Sequence, residues 1–232
     1  MNMEKFSFYK EHPKTCAPDD FWGQVKRTIN GIPVSQEHID IIVHAVIEGL
    51  QLTKEDNLLD LCCGNGALST IIFRHCNAGV GVDFSKYLIS VAQKNFSDAP
   101  RETYILSDVI DFCEEPRSSD IFSKALCYGS FAYLEHHRAE RLLYLLRNNF
   151  PNIERVFIGN CPDRGLLSDF VKDRQFEPGT EDDPDSPIGI WRTKEEFSAL
   201  ATCCGWKISF QKMPDYFYAA HYRYDVILTH ES

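Results

Sequence analysis

The sequence predicts an α/β protein: a doubly wound, mostly parallel sheet that finishes in an antiparallel hairpin. Three observations carry that prediction. From Leu58 to about Ile158, short apolar runs alternate with segments of helical period, the pattern of consecutive strand–helix units. The first run, with Leu58, Leu59 and Leu61, passes into a turn bearing Gly64 and Gly66, and then into a helix opened by Ala67, Leu68, Ile71 and Ile72. The last two runs, Trp206 to Gln211 and Tyr222 to Thr229, have no helical segment between them and are expected to pair antiparallel at a sheet edge.

Each element follows in order. Residues 1–34 read as irregular and aromatic-rich (Phe6, Phe8, Tyr9, Phe21, Trp22), with Asp19 or Asp20 able to cap a short helix through Val25 to Ile29. Gly31 and Pro33 break that helix, and Ser35 caps the next. There Ile39, Ile42, Val43, Val46, Ile47 and Leu50 form one apolar stripe. Strands are expected over 58–62, 79–83, 104–106, 121–127 and 155–158, with helices over about 66–75, from Ser85, and over about 138–148. Residues 162–190 form a long acidic connection with Pro178, Pro184 and Pro187; a link of that length reads as a lid or as a solvated segment. Thr193 and Glu196 make a capping box for the last helix. The whole chain, 1–232, is thus one domain: a helical cap (1–52), a ligand-binding core (53–161), an acidic insertion (162–190), and a closing helix and hairpin (191–232).

Composition narrows the partners. An apolar fraction of 44% and a charged fraction of 25% over 232 residues suit one soluble globular domain. No run approaches the roughly 18 apolar residues of a membrane span, and the first residues lack a signal pattern, so a cytoplasmic protein without membrane attachment is expected. Nine cysteines occur without a C-x-x-C pair. The adjacent pairs Cys62-Cys63 and Cys203-Cys204 lack zinc spacing, so reduced thiols and no metal are expected. The formal charge is −10 and the basic residues are scattered, which disfavours nucleic acid as a partner. A small-molecule acceptor is expected, with a homodimer left open.

In an open α/β sheet the ligand lies beyond the carboxyl ends of the strands. Three acids fall there: Asp60 beside the glycine turn, Asp83 at the end of the second strand, and Asp108 after the third. A carboxylate after strand two can take both ribose hydroxyls, and one after strand three can take an adenine amine. Asp60 suits a cation or the amino acid end of a ligand. Adenine, ribose and a cationic amino acid tail together describe S-adenosylmethionine. A nicotinamide dinucleotide shares the glycines and Asp83. However, its third fingerprint position is Ser69 here, and its pyrophosphate would be repelled by Asp60. Plain helix capping by Asp83 and Asp108, and plain core packing by Phe84 and Val109, are the structural alternatives.

On these residues the stretch from Leu58 to about Cys161 resembles the class I S-adenosylmethionine-dependent methyltransferases. The matching motifs are Leu-Asp-Leu-Cys-Cys-Gly-Asn-Gly, Gly-Val-Asp-Phe-Ser at 81–85, Ser107-Asp108-Val109 and Ala125 to Phe131. The resemblance implies a Rossmann-like seven-stranded sheet. It puts Cys62, Gly64 and Gly66 along the donor's amino acid part with Asp60 orienting it, Asp83 on ribose, Phe84 on adenine, and Asp108 and Val109 at the base. Tyr128 and Tyr133 would border the reactive methyl, and Arg27 is available to a carboxylate of donor or acceptor. His136, His137 and His221 are candidate general bases. Strand four does not end in Asn/Asp-Pro-Pro-Tyr, which lowers nucleobase and amide acceptors. The preferred reading is O-methylation of a sugar or polysaccharide precursor, then N-methylation of a small amine. A nicotinamide oxidoreductase and a non-catalytic donor-binding module are the rivals from other classes.

Overall fold

The computed structural model describes residues 7–116, 118–173 and 179–230. Of the positions singled out in the sequence, Phe6, Glu177 and Pro178 lie outside the described residues, as does the side chain of Phe8.

Helices α1 (Ser7–Thr15) and α2 (Phe21–Gln24) lead to a ribbon of β1 (Thr28–Ile29) and β2 (Ile32–Pro33). Asp20 caps α2 through the Gly23 N–H at 2.9 Å. The helix expected through Val25 to Ile29 is replaced by this ribbon, because Asn30 and Gly31 both take positive φ (52° and 80°) and make the tight turn that Asn-Gly favours. The stretch read as irregular also contains α1.

Helix α3 (Gln36–Leu50) keeps its expected stripe, burying Ile39, Ile42, Val43, Val46 and Leu50. Ser35 occupies the N-cap position without a side-chain cap bond.

The main sheet comprises β3 (Asn57–Leu61), β4 (Ala78–Asp83), β5 (Glu102–Leu106), β6 (Lys124–Tyr128), β7 (Arg155–Pro162), β8 (Trp206–Gln211) and β9 (Arg223–His230). Their spatial order is β5-β4-β3-β6-β7-β9-β8. The pairs among β3 to β7 are parallel, whereas β9 runs antiparallel to both β7 and β8. The final strand therefore slots inside the sheet and leaves β8 at the edge. Chain order reverses between β3 and β6, the crevice where such sheets bind ligands.

Strand alternation divides the core. Leu58 faces the layer of α3, α4 (Ala67–Phe73) and α5 (Lys86–Asn95), with Val46, Ile72 and Ile89. Leu59 and Leu61 face the layer of α6 (Val109–Glu114), α7 (His136–Asn149) and, beyond α8 (Leu167–Asp173), α9 (Lys194–Cys203), with Ile110, Leu142 and Phe197. The capping box at Thr193 and Glu196 is present. Two short helices were not expected: α6, and α8 within the 162–190 connection.

Candidate active site

The turn after β3 is built for close approach. Cys62, Gly64 and Gly66 take φ of 61°, 61° and 78°. At Gly66 a Cβ would come within 2.8 Å of the Tyr104 ring, so only glycine fits there. Beneath the turn Asp60 is 4% exposed and accepts the Ser69 hydroxyl at 2.5 Å. Ser69, the residue that breaks the dinucleotide fingerprint, is the one that holds Asp60. Burial pushes the Asp60 carboxyl up to about 7, against the opposing pull of the Ser69 bond and of Arg27.

Asp83 braces the same turn. Its Oδ2 accepts the Gly64 N–H at 3.0 Å and its Oδ1 the Ser85 N–H at 2.8 Å. Burial raises this carboxyl to about 6, with the two backbone bonds pulling the other way. Asp108 has a busier position than the sequence suggested. Oδ1 caps α6 through the Ile110 N–H at 2.8 Å, and Arg138 Nη2 donates to both oxygens at 2.9 and 2.7 Å. Its capping role is therefore plain, and only the remaining lone pairs are left for a base.

These groups converge on a cavity of about 340 Å³ at the carboxyl ends of β3, β4 and β6. Asp60, Cys62, Gly64, Asp83 and Phe84 line its floor, with Asp108 and Val109 along one side. Arg27, Tyr128 and Tyr133 close the other end. Gly66 stands just behind as the N-cap of α4. Cys62 stays a neutral thiol, raised by its bond to Cys127 and by burial, and Cys63 is raised by burial. The N-terminal cap is tied to the turn: Asn65 Nδ2 donates to the Phe21 carbonyl at 2.8 Å and to Gln24 Oε1 at 3.0 Å. The Arg27 guanidinium sits 5.5 Å from the Trp22 ring and 5.3 Å from that of Tyr128.

The histidines fall elsewhere. His136 is exposed and borders a separate open groove with Arg164 and Trp191, and His137 faces solvent beside Glu135 at 3.4 Å. His221 is exposed, with its ring 4.7 Å from that of Tyr222. Among the described residues no histidine lines the cavity. His136 and His137 are therefore not placed to act as the expected bases: the short helix over Phe131–Tyr133 separates them from Tyr128 and the cavity. Conversely, Tyr9, Asn160, Tyr218, Tyr222 and Arg223 line the cavity and were not anticipated. The available signal was Arg223 and Asp225 at alternate positions of an otherwise apolar strand. Among the described residues no group of three or more His, Cys, Asp or Glu could hold a metal ion.

The site fits a cationic donor better than a dinucleotide. Two buried carboxylates above their ordinary pKa favour entry of a positive charge. The Gly64 N–H that would cradle a phosphate is already bonded to Asp83. Sheet order and site together define the class of fold: a Rossmann-like α/β sheet with a ligand crevice where the strand order reverses.

The comparisons with known proteins agree. Residues 58–148 match the family described as a methyltransferase domain. A segment of 67 residues is 34% identical to the probable cobalt-precorrin-6B C(15)-methyltransferase (decarboxylating) of Methanococcus vannielii, covering 29% of this chain and 36% of that one. The chain spans about a third of the length of the curated relatives it matches. A methyltransferase structure from Anabaena variabilis superposes with a TM-score of 0.63 at 20% identity, over 91% of this chain and 94% of that one. Magnesium protoporphyrin IX methyltransferase from Synechocystis, with bound S-adenosylhomocysteine, gives 0.59 at 16% identity over 84% and 83%. At these identities the likeness is one of fold. Residues 58–148 are thus similar to a methyltransferase domain, and the fold is the one these methyltransferase structures share.

Proposed function

We propose that the chain binds S-adenosylmethionine over the Asp60–Gly66 turn and directs its methyl group to an oxygen of a small polar metabolite, a sugar or polysaccharide precursor. The observation that carries the donor half is the Asp83–Gly64 bond beside buried Asp60, a turn arranged for a cation. When bound, the donor supplies an electrophilic methyl on a sulfonium. Asp83 uses its remaining lone pairs for ribose hydroxyls, Phe84 and Val109 pack against the base, and Arg27 takes the donor's carboxylate. Tyr128 and Tyr133 hold the methyl end and exclude water, so that much of the rate comes from holding the two reactants in place.

The cavity runs on past the donor-side residues to Asn160, Tyr218, Tyr222 and Arg223, which supports an acceptor seated in the same cavity. The amine alternative rested on the acidic 162–190 segment. Its described acids Asp163, Asp169, Glu181, Asp182, Asp183 and Asp185 do not line the cavity, and Asp182 pairs with Arg164, which favours oxygen over nitrogen. All nine cysteines are free, in keeping with a reducing compartment such as the cytosol. Among the described residues no helix is long and apolar enough to cross a membrane.

The test is to incubate the protein with isotope-labelled S-adenosylmethionine and a metabolite pool, and to read the labelled product by mass spectrometry. A labelled O-methyl metabolite is expected. Tight NAD binding without S-adenosylmethionine binding would overturn the donor assignment, and donor binding without any turnover would favour a silent binding module.

A further inference from the structure

The far end of the cavity holds a polar cluster that donor binding leaves unused. β7 bulges between Ile158 and Cys161 where it pairs with β9. Asn160 takes φ 66° there, a conformation that asparagine tolerates better than most residues. Beside it, Gly159 leaves room for the Tyr128 ring: a Cβ would come within 2.3 Å of that ring's Cδ2. Arg223 and Asp225 share one face of β9 opposite the bulge. Asp225 Oδ1 accepts the Asn160 N–H at 2.6 Å, and Arg223 Nη1 donates to the Asn160 carbonyl.

Those bonds leave four atoms over. Asp225 Oδ2, Asn160 Oδ1, Arg223 Nε and the Tyr128 hydroxyl are shut off from bulk water and have no hydrogen-bond partner among the described residues. Orphans of this kind are rare singly, because each keeps the cost of lost hydration. Four on neighbouring residues mark a place meant for something else. Tyr128, Asn160 and Arg223 line the cavity with Tyr218 and Tyr222, and Asp225 is joined to that lining through the Asn160 N–H.

We propose that this bulge is the acceptor's anchor, and that it takes vicinal hydroxyls on a polyhydroxylated ring. The inference rests on the methyl-transfer reading above and deepens it. The unmade bonds are of both kinds: Arg223 Nε only donates, Asn160 Oδ1 only accepts, and the Tyr128 hydroxyl does both. A carboxylate would answer Arg223 but oppose Asp225 and Asn160 Oδ1. An ammonium would answer the acceptors but oppose Arg223. Hydroxyl groups donate and accept at once, and a small rotation of Asn160 or Arg223 brings the orphan atoms onto them. Burial pushes the Asp225 carboxyl up to about 7, against its Asn160 bond and Arg223, so it too can serve either role near neutrality. The apolar face of a ring lies naturally on Tyr218 and Tyr222.

Saturation-transfer NMR on the full chain loaded with S-adenosylhomocysteine tests this, with three six-membered rings as probes: methyl α-D-glucopyranoside, cyclohexanecarboxylate and cyclohexylammonium. The pyranoside is expected to give a signal several-fold above the other two. Asn160→Gly keeps the backbone conformation and the N–H to Asp225, and Tyr128→Phe removes only an orphan hydroxyl. Each should cut pyranoside affinity about fivefold, the value of one hydrogen bond, and in Asn160→Gly, which has no assigned part in holding the donor, S-adenosylhomocysteine affinity should stay within threefold. Tyr128→Phe should melt no lower than the parent. A pyranoside signal that is absent, no larger than that of the charged rings, or unchanged in both variants overturns the anchor while leaving the donor reading intact. Failure to bind S-adenosylhomocysteine, measured first by calorimetry, would instead bring down the donor reading and this one with it.

Discussion

Replacing Asp60 with asparagine should stabilise the empty protein at high pH and cripple donor binding. The side chain keeps its shape but no longer ionises. In the folded chain the carboxyl is held up to about 7, against an ordinary 3.8 in the unfolded chain. A raised acid of this kind contributes most below the unfolded value, and that contribution is lost as pH climbs through the folded one. At about 1.36 kcal/mol per pH unit, the cost of ionising Asp60 approaches 4 kcal/mol by pH 8, and roughly 2.5 kcal/mol of it accrues between pH 5 and pH 8.

The variant has its own constant cost, because its amide N–H₂ meets the Ser69 hydroxyl site, but that cost does not change with pH. The difference between variant and parent should therefore grow by about 2.5 kcal/mol over this range, read from urea unfolding at both pH values. Calorimetry at pH 8 should show S-adenosylmethionine affinity down at least tenfold, through loss of the buried counter-charge. A stability difference independent of pH, or one that shrinks as pH rises, would refute the picture of Asp60 as a buried acid awaiting a cation.

Asp83→Ala should weaken donor binding at least tenfold and, near pH 4, where there is little ionisation cost to relieve, also lower the melting temperature. The Gly64 and Ser85 N–H groups lose their acceptor, at about 1–3 kcal/mol each; an unchanged melting temperature would show that the brace carries no weight. His136→Ala and His137→Ala should leave labelled-donor turnover within twofold, since both side chains lie outside the cavity. A tenfold fall in either would return that histidine to the reaction. Gly49→Ala should cost about 2–3 kcal/mol by chemical denaturation, because the new methyl would sit 2.5 Å from the Phe157 ring. Full retention of stability would mean that α3 does not press on β7 as described.

The turn and strand-end positions of the proposed donor site were legible because their signals are local. Asp60, Gly64 and Asp83 are tied by chain geometry to strand ends and turns, so period and spacing locate them without knowing what they touch. Ser69 could be read as a departure from one fingerprint, but not as the partner of Asp60, which depends on the helix folding back over the turn. The acceptor end was illegible for the opposite reason. Asn160, Arg223 and Asp225 meet through a bulge between strands 60 residues apart, and a bulge shifts register without any fixed motif. The histidines misled because adjacency to a site in sequence was read as facing it, and one short helical turn reverses that. The Asn30-Gly31 hairpin was the missed local signal: breakers were seen, but not the turn type they make.

The position of β9 has a consequence for how the protein comes to be. Six strands of the main sheet precede it in synthesis, yet it is threaded between β7 and the edge strand β8. Until it arrives, β7 carries an unpaired edge of buried, apolar character, the kind of template that invites pairing with another chain. The parallel half, with Asp60 and Asp83, can assemble first. Arg223 and Asp225 enter only with the strand that seals the sheet, so the step that removes the aggregation hazard also completes the far wall of the cavity. A nascent chain halted before Arg223 would hold the Asp60–Gly66 turn facing a cavity whose Arg223 wall is not yet built.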